Sequence, residues 1–127
     1  MTVLSACERG PQLDPALADT PLPSPDTPID AALAEAGGWY FQRNCLACHA
    51  IGGDAALVGP NLAGVTQRRE IPWIAAMIRR PDSMLVHDDT ARALLERYRV
   101  PMVNRELDGA KLRAILEFLR NADQGSD

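Results

Sequence analysis

The sequence predicts an all-α fold in one domain. Leu112, Ile115 and Leu119 recur at helical spacing near the C-terminus, and helix-start residues precede both this segment and another one near residue 30. Prolines divide the chain between these segments into short pieces, and no βαβ pattern is present. No apolar run approaches the roughly 18 residues that a membrane-spanning helix needs. The core must therefore come from short helices that pack on one another.

Charge is distributed unevenly along the 127 residues, whose net charge is −4. Residues 1–36 contain six acidic residues and one basic residue, whereas the remainder contains 11 acidic and 12 basic residues. The C-terminal part is thus close to neutral, and cations spread in this way do not favour nucleic-acid binding. We expect a monomer that binds no nucleic acid.

Residues 4–7 resemble a bacterial lipobox, in which small residues precede a cysteine that becomes lipidated. Cys7 would then carry the lipid and hold the protein on a membrane. The six residues before Cys7 include no basic region and no apolar stretch long enough for a signal peptide, so we expect a start further upstream. The alternative is a chance match that leaves Cys7 as a free thiol.

Six of the ten prolines lie between residues 11 and 28. Proline holds φ and removes backbone donors, so this segment predicts an extended, semi-rigid spacer of about 3 Å per residue. The alternative is an ordered wrap on the domain, with Leu13, Leu17 and Leu22 docked against it. We therefore divide the chain into a lipobox-like segment with its Pro-rich spacer at 1–28 and a folded domain at 29–127.

The first helix is predicted from residue 27 to about residue 46. Thr27 can cap it, Pro28 suits the first helical position and Asp30 can close a capping box. Gly37 and Gly38 lie inside this helix, where each glycine costs about 1 kcal/mol of helix stability. Such a cost is understandable if the backbone of another element comes close at this point.

Residues 45–49 read C-x-x-C-H, which is the spacing of a c-type haem attachment site. Cys45 and Cys48 can add to the two vinyl groups of one haem, and His49 then offers its imidazole to the iron as the proximal ligand. The alternatives are a zinc site and a redox-active dithiol. Zinc would require further ligands, and only Cys7 and His87 remain as Cys or His candidates.

The residues around this motif resemble the class I c-type cytochromes, in a monohaem, His/Met-ligated group similar to bacterial lipoprotein cytochromes. Gly37, Phe41 and Cys45 match the family spacing G-x-x-x-F-x-x-x-C, and residues 115–119 resemble the family's C-terminal helix. The resemblance spans residues 37–119. It implies that the N- and C-terminal helices cross around one covalently bound haem c. The glycine would permit the crossing, and the aromatic ring would pack within it.

Residues 59–62, G-P-N-L, resemble the family segment beneath the proximal histidine. The resemblance implies that the Pro60 carbonyl accepts the imidazole N–H, which orients the ring and raises its basicity. Further along, Arg68, Arg69 and Trp73 are candidates for hydrogen bonds to the haem propionates. The alternatives are a solvated face for the arginines and a core position for Trp73, whose N–H would then find another partner.

Three further helices are predicted between this segment and the C-terminus. One runs over residues 71–80 and ends at a proline, and residues 82–87 have an irregular pattern. An extra helix, absent from many minimal members of the family, is predicted over residues 88–98, just before the distal loop. The last helix begins near Gly109, with Asp108 as its cap.

Met102 is predicted to be the distal, sixth ligand of the iron. A thioether stabilises ferrous iron, Pro101 restrains the loop, and the family places its methionine between the last loop and the last helix. The alternatives are Met77, which has core spacing within a helix, and Met84, which follows a helix in a loop. His87 is a further alternative, although a histidine beside two aspartates is typical of a surface.

Iron held by both His49 and Met102 has no open position for a substrate, which favours a one-electron carrier over an enzyme. The resemblance implies an extracytoplasmic protein on the periplasmic side that shuttles electrons from a quinol-oxidising complex to a terminal oxidase or reductase. Its partners would be redox proteins of the respiratory chain and, through Cys7, the membrane. The alternatives are a fixed haem subunit of a larger respiratory complex, and a haem enzyme or gas sensor with a labile sixth ligand.

Overall fold

The computed structural model describes residues 9–53 and 57–125, which form six α-helices and one 3₁₀ helix and include no β-strand. The lipobox-like residues 4–7 lie outside this range. The 3₁₀ helix spans Pro15–Asp19. The α-helices are α1 (Ala31–Asn44), α2 (Val65–Arg68), α3 (Ile71–Arg79), α4 (Pro81–His87), α5 (Asp89–Tyr98) and α6 (Gly109–Gln124). The prediction of an all-α fold is confirmed in this part of the chain.

The two longest helices, α1 and α6, cross and supply most of the core. Gly37 marks the closest point, because a Cβ there would lie 1.8 Å from the carbonyl oxygen of Ala114. Beside it, the ring centroids of Phe41 and Phe118 are 5.0 Å apart. The predicted roles of Gly37 and Phe41 at this crossing are confirmed. The helix stability lost at the glycine is offset by the apolar burial that close approach allows.

Residues 9–28, here named the strap, lie along α1 and α6 instead of extending away from them. The Tyr40 hydroxyl donates a 2.6 Å hydrogen bond to the carbonyl of Pro11. Leu13 is half-buried and packs against the core, as the alternative of an ordered wrap requires. The expectation of an extended spacer is therefore wrong for these residues, because their apolar side chains and carbonyls find partners on the helices. The chain division at residue 28 stays a prediction.

A buried ion pair on α6 holds the far end of the strap. The Arg120 guanidinium donates to the carboxylate of Glu117, and both side chains are buried. Arg120 also donates to the carbonyl of Ser24 at 3.1 Å and to the carbonyl of Thr27. The second carboxylate oxygen of Glu117 accepts the N–H of Asp30 at 2.7 Å. The strap and the start of α1 are thus joined to α6 by one hydrogen-bonded network.

Helix α1 begins later than the sequence predicts. Asp30 is its cap, and its carboxylate accepts the N–H of Leu33 at 3.1 Å. The Thr27 hydroxyl instead accepts the N–H of Ser24 at 2.9 Å within a turn of the strap. The prediction that Thr27 caps the helix is therefore wrong. Its carbonyl accepts a hydrogen bond from Arg120 of α6, and its hydroxyl closes the preceding turn.

The middle of the chain contains two helices that were not predicted from the sequence. One of them, α2, lies in a segment for which no helix is predicted, and the other, α4, lies where an irregular segment is predicted. Helix α2 is capped from a distance, since the Asp123 carboxylate of α6 accepts the N–H groups of Gly64 and Thr66 at 2.8 and 2.9 Å. Helix α4 corrects the irregular assignment of residues 82–87. Pro81 is buried and occupies its first position, where a missing N–H costs nothing. The predictions of α3, α5 and α6 are confirmed.

Candidate haem site

The C-x-x-C-H motif forms a tight turn directly after α1. The N–H groups of Cys48 and His49 both donate to the carbonyl of Cys45, at 3.1 and 2.9 Å. Both thiols are half-buried, and His49 is buried with 9% of its surface exposed. Before haem is attached, burial raises the pKa of the Cys45 thiol to about 11. One turn of chain thus presents two thiols and one imidazole, the set that a c-type haem requires.

The His49 ring is fixed by the loop that returns beneath it. Its Nδ1 lies 2.8 Å from the carbonyl oxygen of Pro60, the contact that the family resemblance implies. A carbonyl can only accept, so Nδ1 carries the proton and Nε2 keeps its lone pair for a metal. Gly59 lies beside the ring, since a Cβ there would be 2.7 Å from Cε1 of His49. Glycine at this position therefore makes room for the imidazole.

The side chains of Asn61 and Arg68 hold the segment that follows Pro60 in place. The Asn61 side chain accepts the N–H of Gly52 at 3.0 Å and donates to the Gly52 carbonyl at 2.9 Å. Arg68 donates to the carbonyl of Asn61 at 3.1 Å and to that of Ala63. The sequence analysis does not predict that Asn61 holds this loop. The only indication in the sequence is that Asn61 directly follows Pro60.

The three side chains predicted near the propionates all have protein partners. The N–H of the Trp73 indole donates to the Asp88 carboxylate at 3.0 Å, which is the kind of partner that the alternative of a core position requires. This hydrogen bond and the N–H of Ala91 lower the pKa of Asp88. The Arg69 guanidinium lies 5.2 Å from the centre of the Trp73 ring. Propionate contacts of Arg68, Arg69 and Trp73 stay predictions.

The predicted distal ligand, Met102, is half-buried in the connection between α5 and α6. Two non-glycine residues with left-handed backbone conformation lie on either side of it, Arg99 with φ 70° and Glu106 with φ 56°. Such residues are uncommon and turn the chain sharply. The structure therefore places Met102 in an irregular segment between two left-handed residues, and this segment leads into the last helix.

The alternative distal ligands lie in helices. Met77 is half-buried in α3, and Met84 is half-buried in α4, which corrects the expectation that Met84 lies in a loop. His87 is exposed at the end of α4, where its Nδ1 lies 3.0 Å from the carbonyl of Ser83. A helical backbone fixes the directions in which each of these side chains can point. Met102 lies outside the helices, so its side chain is the least restricted of the four candidates.

The donor set fits a haem better than a zinc ion. Within residues 9–53 and 57–125, no cluster of three or more His, Cys, Asp or Glu side chains could hold a metal ion. Large apolar side chains are exposed in the segments next to the motif and next to the predicted distal ligand: Leu46, Leu57, Val58, Val100 and Val103. Their positions on both sides of the predicted ligand set agree with a site for another apolar group. A flat macrocycle joined to the two thiols is such a group.

Comparison with known proteins decides between these alternatives. The family model for cytochrome c matches residues 34–123. The chain belongs to the cytochrome c family. Among solved structures it is similar to cytochrome c from Rhodothermus marinus, with 34% identity, a TM-score of 0.76, and coverage of 88% of this chain and 98% of that chain. No curated protein matches it.

Two further structural relatives extend this comparison. An engineered cytochrome c from Rhodothermus marinus, bound to a carbene intermediate, is 35% identical, has a TM-score of 0.71, and is matched over 87% of this chain and 99% of that chain. The cytochrome c domain of a protein from Pseudomonas putida is 32% identical, has a TM-score of 0.63, and is matched over 69% and 88% of the two chains. The protein therefore has the class I cytochrome c fold, carries one covalently bound haem c with its iron, and belongs to a family that indicates electron transfer.

Proposed function

We propose that this cytochrome c is a one-electron carrier, with its haem joined to Cys45 and Cys48 and its iron held by His49 and Met102. The observation that carries the proposal is the hydrogen bond from Nδ1 of His49 to Pro60, which leaves Nε2 as the nitrogen for the iron. When bound, the haem supplies an iron that changes valence by one electron. The chain keeps the imidazole in one orientation, so little reorganisation accompanies that change.

An optical spectrum of the holoprotein, with and without reductant, tests this assignment. We expect a six-coordinate, low-spin haem in both oxidation states and a ferric charge-transfer band from methionine sulfur. A high-spin ferric spectrum, with rapid uptake of cyanide by the ferric protein or of carbon monoxide by the ferrous protein, would contradict the carrier. That result would favour the alternative of a haem enzyme or gas sensor with a labile sixth ligand.

Intact-mass measurement tests the covalent attachment separately. Protein made in a host with haem-attachment machinery and then denatured should have the mass of the chain plus one haem. The Cys45→Ser/Cys48→Ser double variant is the matched control, since it removes both thioether bonds and should have the mass of the bare polypeptide. A wild-type mass equal to that of the bare polypeptide would contradict attachment at these two residues.

We propose further that the protein works outside the cytoplasmic membrane and is held there by a lipid on Cys7. Cytochrome c domains are typically extracytoplasmic, and residues 4–7 resemble a lipobox. Among the helices of the described residues, none is long and apolar enough to cross a bilayer. Mass spectrometry of protein taken from its source membrane should find a diacylglyceryl group on Cys7, and an unmodified cysteine there would contradict the anchor.

The proposed partners are membrane respiratory complexes, with electrons passing from a quinol-oxidising complex to a terminal oxidase or reductase. The near-neutral charge of residues 37–127 supports docking by apolar contact, so electron-transfer rates to source membranes should fall less than about tenfold between low and high salt. Stable co-purification with one complex in mild detergent would instead identify the protein as a fixed haem subunit of that complex.

A further inference from the structure

We propose that the face of α1 around Trp39 rests on the phospholipid headgroups of the membrane to which the chain is anchored, so that the domain has a fixed orientation there. The proposal deepens the proposed function and rests on the lipid at Cys7. It names the bilayer surface as the partner of this face.

The start of the strap is seated against this face. Gly10 lies on the Trp39 ring, where a Cβ at residue 10 would be 2.4 Å from the nearest ring carbon, and its φ of 73° turns the chain there. The next residue, Pro11, accepts the hydroxyl of Tyr40 at 2.6 Å. These contacts fix the point at which the chain leaves the domain toward its N-terminus.

The chain between the proposed lipid and this point is short. Glu8 and Arg9 alone separate Cys7 from Gly10. A fully extended chain spans at most about 3.6 Å per residue, so the three steps from Cys7 to Gly10 reach roughly 11 Å. A lipid on Cys7 therefore keeps the Trp39 face within this distance of the headgroups. The rest of the strap adds no length, because it is docked on α1 and α6.

The side chains on this face suit the headgroup region of a bilayer. Trp39 is half-buried, and the guanidinium of Arg43 lies 3.5 Å from the centre of its ring and donates to its carbonyl at 3.2 Å. The ammonium of Lys111 lies 5.5 Å from the centre of the Tyr40 ring, which is itself buried beneath the strap. Arg9 is exposed at the start of the strap. Aromatic rings with a polar edge concentrate at the membrane–water interface, and basic groups beside them pair with lipid phosphates.

Two acidic residues lie near the same face and limit its net charge. Asp108 is 3.9 Å from the Lys111 ammonium, and Glu35 is exposed one helical turn before Trp39. Charge attraction alone is therefore too weak to dock this face on a bilayer. The tether supplies a high local concentration, and the aromatic and basic side chains then select the orientation.

The fixed orientation has a consequence for the haem. Arg43 lies in the last turn of α1, two residues before Cys45. The membrane-facing surface thus borders the haem attachment motif.

Linear dichroism on oriented membranes tests the orientation. The sample is full-length holoprotein in which Cys7, the cysteine not joined to haem, is coupled to a maleimide-bearing phospholipid and bound to oriented phosphatidylcholine–phosphatidylglycerol bilayers. We expect dichroism of the haem absorption bands in this protein. We expect its loss when a flexible Gly/Ser segment is inserted between Glu8 and Arg9. The same insertion after Gly125 is the matched control and should leave the dichroism unchanged.

Hydroxyl-radical footprinting on the same samples provides a second readout. Trp39 should be modified less on vesicles of this composition than in detergent, whereas Trp73, which bonds Asp88, should be modified equally in both. Lipid-coupled protein with neither dichroism nor protection of Trp39 overturns the fixed orientation and leaves the proposed carrier intact. Dichroism that survives the insertion before Arg9 overturns the role of the strap. An unmodified Cys7 in the native protein overturns the anchor and the orientation together.

Discussion

Gly37 of α1 and Ala114 of α6 meet so closely that a Cβ at residue 37 would lie 1.8 Å from the Ala114 carbonyl oxygen. The adjacent glycine has a different setting, since a Cβ at Gly38 would lie 3.1 Å from the ring edge of Phe118. A backbone carbonyl within a helix cannot move aside, whereas an aromatic ring can turn. The two glycines are thus predicted to differ sharply in their tolerance of side chains.

Replacing Gly37 by leucine should force α1 and α6 apart. The expected loss is at least about 1–3 kcal/mol of unfolding free energy, the usual cost of overpacking a core. Gly38→Ala is the matched control, because about 1 kcal/mol of gained helix propensity offsets its tight contact with the ring. Thermal unfolding of both holoproteins measures the difference. A Gly37→Leu protein that melts like wild type would contradict the crossing.

The sequence was sufficient for features that depend on local spacing. The crossing of α1 and α6 follows from Gly37 and Phe41, whose distance from the haem motif is readable in the chain, and from the apolar periodicity of residues 112–119. The cap of α6 by Asp108 is equally local, since its carboxylate accepts the N–H of Lys111 at 2.8 Å. Such features require no knowledge of the rest of the fold.

The features that the sequence did not predict depend on partners far away in the chain. Helix α2 exists because Asp123 caps it across 57 residues or more. The strap is docked because Arg120 reaches the Thr27 carbonyl across 93 residues. The Trp73 indole donates to Asp88 because the start of α5 brings that carboxylate to it from 15 residues away. Local propensity carries no signal for any of these contacts.

The buried pair of Glu117 and Arg120 is predicted to be essential for stability. Glu117→Ala should cost about 3–5 kcal/mol, because it leaves the buried guanidinium without its carboxylate and the Asp30 N–H without its acceptor. Lys111→Ala is the matched control on the same helix, since its exposed ion pair should contribute less than about 1 kcal/mol. Urea unfolding of the holoproteins measures both. Equal stabilities of the two variants would show that the buried pair is dispensable.

Asp88 is predicted to make stability depend on pH in acid. Hydrogen bonds from Trp73 and Ala91 lower its pKa in the folded state, so its contribution is present above its unfolded-state pKa and is lost as pH falls through the lowered value. The stability difference between wild type and Asp88→Asn should be constant near neutral pH and shrink below about pH 4. Urea unfolding over a pH series measures this. A difference between the two proteins that stays constant through this acid range would contradict the role of Asp88.

Gly59 is predicted to control the proximal ligand. A Cβ in Gly59→Ala would lie 2.7 Å from Cε1 of His49 and push the imidazole away from the Pro60 carbonyl. A weaker hydrogen bond makes the imidazole less basic, so we expect a higher reduction potential. Potentiometric titration of the holoprotein measures it. Val86→Ala, on α4 and 65% exposed, is the control. Equal potentials in all three proteins would contradict the control of His49 by this loop.

Met102 is predicted to fill the sixth position of the iron. In a Met102→Ala holoprotein the ferric methionine–sulfur band should disappear, and cyanide or carbon monoxide should bind rapidly to the iron. Met84→Ala is the matched control, because it removes an equally half-buried thioether from the fixed backbone of α4. This variant should keep the band, although its truncated side chain lowers the melting temperature. Loss of the band in the Met84 variant, with its retention in the Met102 variant, would assign the ligand to α4. The sharp turns at Arg99 and Glu106 would then have no role in ligation.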